Sequence, residues 1–150
     1  MTTVLLLRVL ERVHGHLGWL SVAALLHPAL LLRNPRRRAR LAVSLATLAV
    51  VGTSLLGATI YPEYRSRIKQ HLFIEVPRLA WMFERKEHLA VGAVTLALVG
   101  CVAHLSLPWY EADATKRSVA RLSHRAFVTS FVLALIVAVL GVTVASYESF

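Results

Sequence analysis

Four stretches of the chain, 15–32, 41–60, 89–107 and 126–146, run for 18 to 21 residues without a single Asp, Glu, Lys or Arg. At about 1.5 Å of rise per residue, each is long enough as a helix to cross the roughly 30 Å hydrocarbon core of a bilayer. Buried helices of water-soluble domains rarely stay charge-free over that length, because one face normally meets solvent. Backbone polar groups in lipid need internal partners, which leaves helices as the spanning form. The pattern predicts an all-α integral membrane four-helix bundle, a single membrane domain over residues 1–150. The opening MTTVLLLRVLERVHGH is not a signal peptide, since Arg8, Glu11 and Arg12 interrupt its short apolar run. It reads instead as an amphipathic start to the first helix.

The segment between the second and third stretches is too long for a simple turn. Within it Tyr64, Ile68, Leu72 and Val76 recur every four residues, on one side of a helix, and Pro77 then breaks the run. Tyr61, Tyr64, Trp81 and Phe83 are aromatics of the kind that settle among headgroups. These features predict an amphipathic interfacial helix over about 62–87, between the second and third spans, acting as a surface anchor, a docking face or a lid.

Composition agrees with a membrane chain: 57% of residues are hydrophobic. The formal net charge of +9 would suit nucleic acid, but the basic residues fall between the spans rather than on one free face, so no nucleic-acid partner is expected. Arg33, Arg36, Arg37, Arg38 and Arg40 fill the first connection, and Lys116, Arg117, Arg121 and Arg125 the third. Dense charge in these short loops predicts that they face the cytoplasm. The expected location is a bacterial inner membrane, with both termini and the 62–87 segment outside.

Little in the chain suggests a self-contained enzyme. No glycine-rich phosphate loop, paired catalytic carboxylates or serine–histidine–acid set is present, so no catalytic residue is expected. The lone cysteine, Cys101, lies mid-span and reads as a small buried hydrophobe. With His104 three residues on it makes only a weak metal signal, and CVAH lacks the second cysteine of a covalent haem motif. Ser44, Gly52, Ser54, Gly57, Gly141 and Thr143 give the second and fourth spans small residues for close helix contact.

The seven histidines are unevenly spread. His14, His16 and His27 belong to the first helix and His88 and His104 to the third, while His71 and His124 lie outside the spans. If the first and third helices run in parallel, His16 and His88 share the outer rim, and His27 and His104 sit about 4 to 8 Å inside the inner boundary. Two neutral imidazoles from facing helices are what a bis-histidine haem iron needs. His16 and His27 are 11 residues apart, a net turn of about 20°, so one face of the first helix serves both levels. His88 and His104 are 16 apart, a net turn of about 160°, which sets them on opposite faces of the third. Gly18, Gly92 and Gly100 lie one turn from His14, His88 and His104 respectively and would leave gaps for a macrocycle, or simply permit helix packing.

Over residues 15–146 the chain resembles, in pattern, the small four-helix membrane cytochromes of b type. That resemblance implies one or two haem b groups held as His16 with His88 and His27 with His104, and electron transfer to a quinone or another redox partner. The alternative expectation is a non-catalytic structural or assembly subunit of a larger membrane complex. A proton or metal transporter would be expected to carry acidic relay groups in its spans, and these have none.

Overall fold

The computed structural model describes residues 2–34, 39–106 and 114–147. Arg36, Arg37 and Arg38 of the first connection, and Leu107 at the expected end of the third span, lie outside the described residues. All regular structure among the described residues is helical: α1 (Thr2–Leu31), α2 (Arg40–Tyr64), a π-helical turn (Arg65–Lys69), α3 (Gln70–Glu75), α4 (Pro77–Leu105) and α5 (Ala114–Ala145). α1 therefore incorporates the amphipathic opening and continues past Pro28. Pro28 lacks the N–H that would reach Ala24, but its own carbonyl still accepts from Leu32 N–H at 2.9 Å.

The largest departure from the sequence expectation is the segment after the second apolar stretch. No separate helix starts there; α2, the π turn and α3 form one helix of 36 residues, Arg40–Glu75. Pro62 lies inside it and removes the N–H that would bond back to Ala58. The π turn follows directly and fits one extra residue into the helix. Within it two consecutive side chains, Ile68 and Lys69, are both buried. The break falls at Val76 (φ −137°, ψ 71°), immediately before the Pro77 expected to cause it. Pro77 then opens α4, where a missing N–H costs nothing.

Neighbouring long helices are antiparallel and close a ring in the order α1, α2, α4, α5, which leaves α1 diagonally opposite α4. Leu25, Val43, Ala46, Ala93, Ala97 and Phe127 fill the middle of the ring. Helix-to-helix contact is close because the facing residues are small and their hydroxyls bond across. Ser130 donates to Ala93 O at 2.7 Å and Ser123 to Gly100 O at 2.8 Å, tying α5 to α4. Ser21 and Thr53 hydroxyls meet at 2.8 Å between α1 and α2. A second core lies beyond the apolar stretches of α2 and α4, where Tyr64, Ile68 and Leu72 pack on Leu79, Ala80 and Phe83, with Val144, near the end of the α5 stretch, against them. Tyr64, Ile68 and Leu72 share one side, as their four-residue spacing predicted.

Among the described residues three helices are long and apolar enough to cross a membrane: Arg40–Glu75, Pro77–Leu105 and Arg117–Ala145. Only 22%, 28% and 22% of their most apolar stretches are buried inside the bundle, so most of each presents hydrocarbon outward, as contact with a lipid bilayer requires.

Candidate functional site

His16, His27 and His88 are all exposed on the outside of the bundle, while His104 is buried at 3% exposure. His16 Nδ1 lies 2.7 Å from Arg12 O, and His88 Nδ1 2.7 Å from Glu84 O. A carbonyl only accepts, so each Nδ1 carries the proton and donates to its own helix. Their angular relations are those the helical period demands: His16 and His27 share an outward face of α1, and His88 and His104 point to opposite sides of α4.

It is His14, about 200° round from His16, that turns toward α2. Its Nδ1 donates to Thr53 O at 3.1 Å. The ring lies so close to Gly57 that a Cβ there would come within 2.8 Å of Cε1. Gly57 is thus the gap that admits an imidazole between two helices.

A haem b between α1 and α4 does not fit this arrangement. The two helices are diagonal, and three of the four proposed ligands face away from the space between them. Two of the three glycine gaps that a macrocycle would use are already taken. A Cβ on Gly100 would meet Phe127 ring carbons at 3.0 Å, and one on Gly92 would meet Leu133 Cδ1 at 3.3 Å. Gly18, half-buried and one turn from His14 on the same side of α1, has nothing within 4 Å.

The densest polar chemistry lies elsewhere, at the end of the bundle beyond the apolar stretches 41–60 and 89–107. Lys69 is 7% exposed, and its three ammonium protons meet Glu84 Oε1 at 2.6 Å, Tyr61 OH at 3.0 Å and Glu87 Oε2 at 3.2 Å. The rings of Tyr61 and Phe83 lie 5.3 and 5.5 Å from Nζ, and Tyr64 stacks on Phe83 at 4.6 Å. Burial pulls the Lys69 pKa down, but the bonds to Glu84, Tyr61 and Glu87 outweigh it and hold the ammonium above the ordinary lysine value. The same bond from Lys69 holds the Glu84 carboxyl below the usual range. Lys86 covers the other face of this group, with Nζ 4.5 Å from the Phe83 centroid and its chain in the space left by Gly141. Burial holds the Lys86 ammonium below the ordinary lysine value, and the charges of Glu87 on α4 and Glu11 on α1 only partly oppose it.

This cluster was not among the sequence candidates. Glu84 and Glu87, three apart, were a signal that both reach one side of α4. Their partner was hidden because Lys69 lies off the four-residue stripe of Tyr64, Ile68 and Leu72 and meets the carboxylates only when the hairpin closes. Chemically the cluster is complete in itself, a cation with each of its donors matched, and it works as a lock between α2 and α4. Among the described residues no group of three or more His, Cys, Asp or Glu side chains is placed to hold a metal ion. Comparison with family models, with curated proteins and with solved structures gives no match for this chain.

Proposed function

We propose that the chain is a four-span membrane subunit with a structural or assembly role in a larger membrane complex, rather than a haem-bearing electron carrier. The observation that carries this reading is the closed interior. Gly92 and Gly100 face Leu133 and Phe127 directly, and serine hydroxyls seal the same α4–α5 interface. Such an interface transmits position and shape, and its close packing at Gly92 and Gly100 favours a structural role over a flat cofactor between α4 and α5.

α1 supplies the fourth span in this reading, and it also supplies the reason to expect a neighbour. It lacks an uninterrupted apolar window of the kind the other three long helices have, and His16 and His27 are exposed on its outward face. Imidazoles at that depth are better covered by polar groups of an adjoining subunit than by acyl chains. The helical hairpin around Val76 extends about 24 Å beyond the apolar stretch that ends at residue 60, and forms the cap outside the bilayer. The density of basic residues in the two connections at the other end favours an orientation with both termini on that outer side.

The test is a reduced-minus-oxidised absorption spectrum of the protein purified from haem-replete cells, with native electrophoresis of the same sample. A colourless protein migrating with stoichiometric companions is the expected result. A sharp b-type α band with haem in fixed ratio to the chain would overturn the structural reading.

A further inference from the structure

The two ends of the bundle differ sharply in charge. Each of the five acidic residues with described side chains, Glu11, Glu63, Glu75, Glu84 and Glu87, lies toward the hairpin end. At the opposite end Arg33, Arg40, Arg117, Arg121 and Arg125 are all exposed. The nearest acidic residues in sequence are Glu111 and Asp113, which lie outside the described residues and number two against nine basic residues in these two connections.

Arg117, Arg121 and Arg125 are spaced by four along α5, which stacks them as one stripe on its surface. Like charges at that spacing repel, and α5 carries no Asp or Glu to offset them. The stripe also occupies the early turns of its helix, where the backbone dipole is positive and cations are least welcome. Arg121 does bond to Ser118 Oγ at 3.4 Å, but a neutral hydroxyl removes no charge. Leu122, 52% exposed, stands beside the guanidinium groups, and the apolar stretch begins at residue 126. Arg125 is thus at the hydrocarbon boundary, with Arg121 about 6 Å and Arg117 about 12 Å above it, a span that matches the headgroup layer.

We infer that this stripe, with Arg33 across the same end, is a docking surface for anionic phospholipids. The phosphate group sits against the arginines and the acyl chain runs along Leu122. The exposed leucine and the position at the hydrocarbon boundary favour a lipid over a soluble anion, since only a lipid joins both chemistries. The inference rests on the membrane-spanning reading proposed above.

The experiment compares the protein reconstituted into phosphatidylcholine vesicles with and without phosphatidylglycerol, and reads lipid retained per chain by native mass spectrometry. Phosphatidylglycerol is expected to be retained preferentially, with association falling about fivefold for each arginine removed in the series Arg117→Gln, Arg121→Gln and Arg125→Gln. A control triple at the hairpin end, Arg65→Gln, Arg78→Gln and Arg85→Gln, is expected to keep the preference. No preference for phosphatidylglycerol, an equal loss in the control, or displacement by inorganic phosphate would each overturn the docking surface. Alkaline carbonate extraction of the same vesicles separates the two claims. Extraction of the chain would retire the spanning reading, whereas an integrated chain indifferent to phosphatidylglycerol retires this inference alone.

Discussion

Replacing Lys69 with methionine removes the cation and leaves its surroundings in place. The Lys69 side chain is 9% exposed, whereas the Glu84 and Glu87 side chains retain 30% and 29% exposure, so the group lies between the buried and surface limits for ion pairs. Hydrogen bonds to charged groups contribute about 1.5 to 3 kcal/mol each, and stripping one partner from a buried pair costs about 3 to 5 kcal/mol. Partial exposure of both carboxylates lowers this, and the methionine side chain regains some contact with the Phe83 and Tyr61 rings. A destabilisation of about 2 to 3 kcal/mol is expected for Lys69→Met. Most of it is the cost of two carboxylates facing each other without a cation. Neutralising them as well, in Lys69→Met/Glu84→Gln/Glu87→Gln, should therefore recover about half the loss.

The assay is reversible denaturation in mixed micelles, read by circular dichroism as a function of pH. Glu84 has its folded-state pKa depressed, so its contribution is present above the usual carboxylate range and is lost as pH falls through the lower folded value. Lys69 has its folded-state pKa raised, so its contribution is fully present below the ordinary value of 10.5 and is lost as pH rises through the higher folded value. The wild-type chain should be most stable between these limits, and Lys69→Met should show a flatter profile. If Lys69→Met is as stable as wild type at neutral pH, or the triple variant is worse than the single one, the lock between α2 and α4 is not what holds this end together.

Two further perturbations test the packed interior. Gly100→Ala would place a Cβ 3.0 Å from the fully buried Phe127 ring, an overpacking expected to cost about 1 to 3 kcal/mol, while Gly52→Ala, with nothing within 4 Å, should gain about 0.5 to 1 kcal/mol from helix propensity. Denaturation midpoints measured side by side check this, and equal effects at the two glycines would contradict the described α4–α5 contact. Ser123→Ala together with Ser130→Ala removes both hydroxyl bonds from α5 to α4 carbonyls and should lower stability by about 1 to 2 kcal/mol. Amide hydrogen exchange in α5, faster near 123–130 than near 140, would locate the loss.

Much of the architecture could be read from local pattern alone. Charge-free length identified the apolar runs, because bilayer thickness and helical rise set one number for all of them. Pro77 marked the break at Val76, because its ring constrains the residue before it whatever surrounds the pair. The four-residue stripe placed Tyr64, Ile68 and Leu72 on one side, and the 160° between His88 and His104 was realised as one exposed and one buried imidazole.

Only the tertiary structure decided what those faces meet. Helical period determines the angle between two residues of one helix but not the rotation of that helix against its neighbours. The sequence reading took His16 as the inward residue, whereas Gly57 and Thr53 receive His14. Ring order is likewise a property of how four surfaces pack, and it puts α1 and α4 on a diagonal with Phe127 and the alanines between them. The place of Lys69 lies furthest from sequence pattern, since it sits in a π turn and off the apolar stripe of its helix. It is matched to Glu84 and Glu87 across 15 to 18 residues of chain, and long-range electrostatics of that kind exist only once the hairpin has closed.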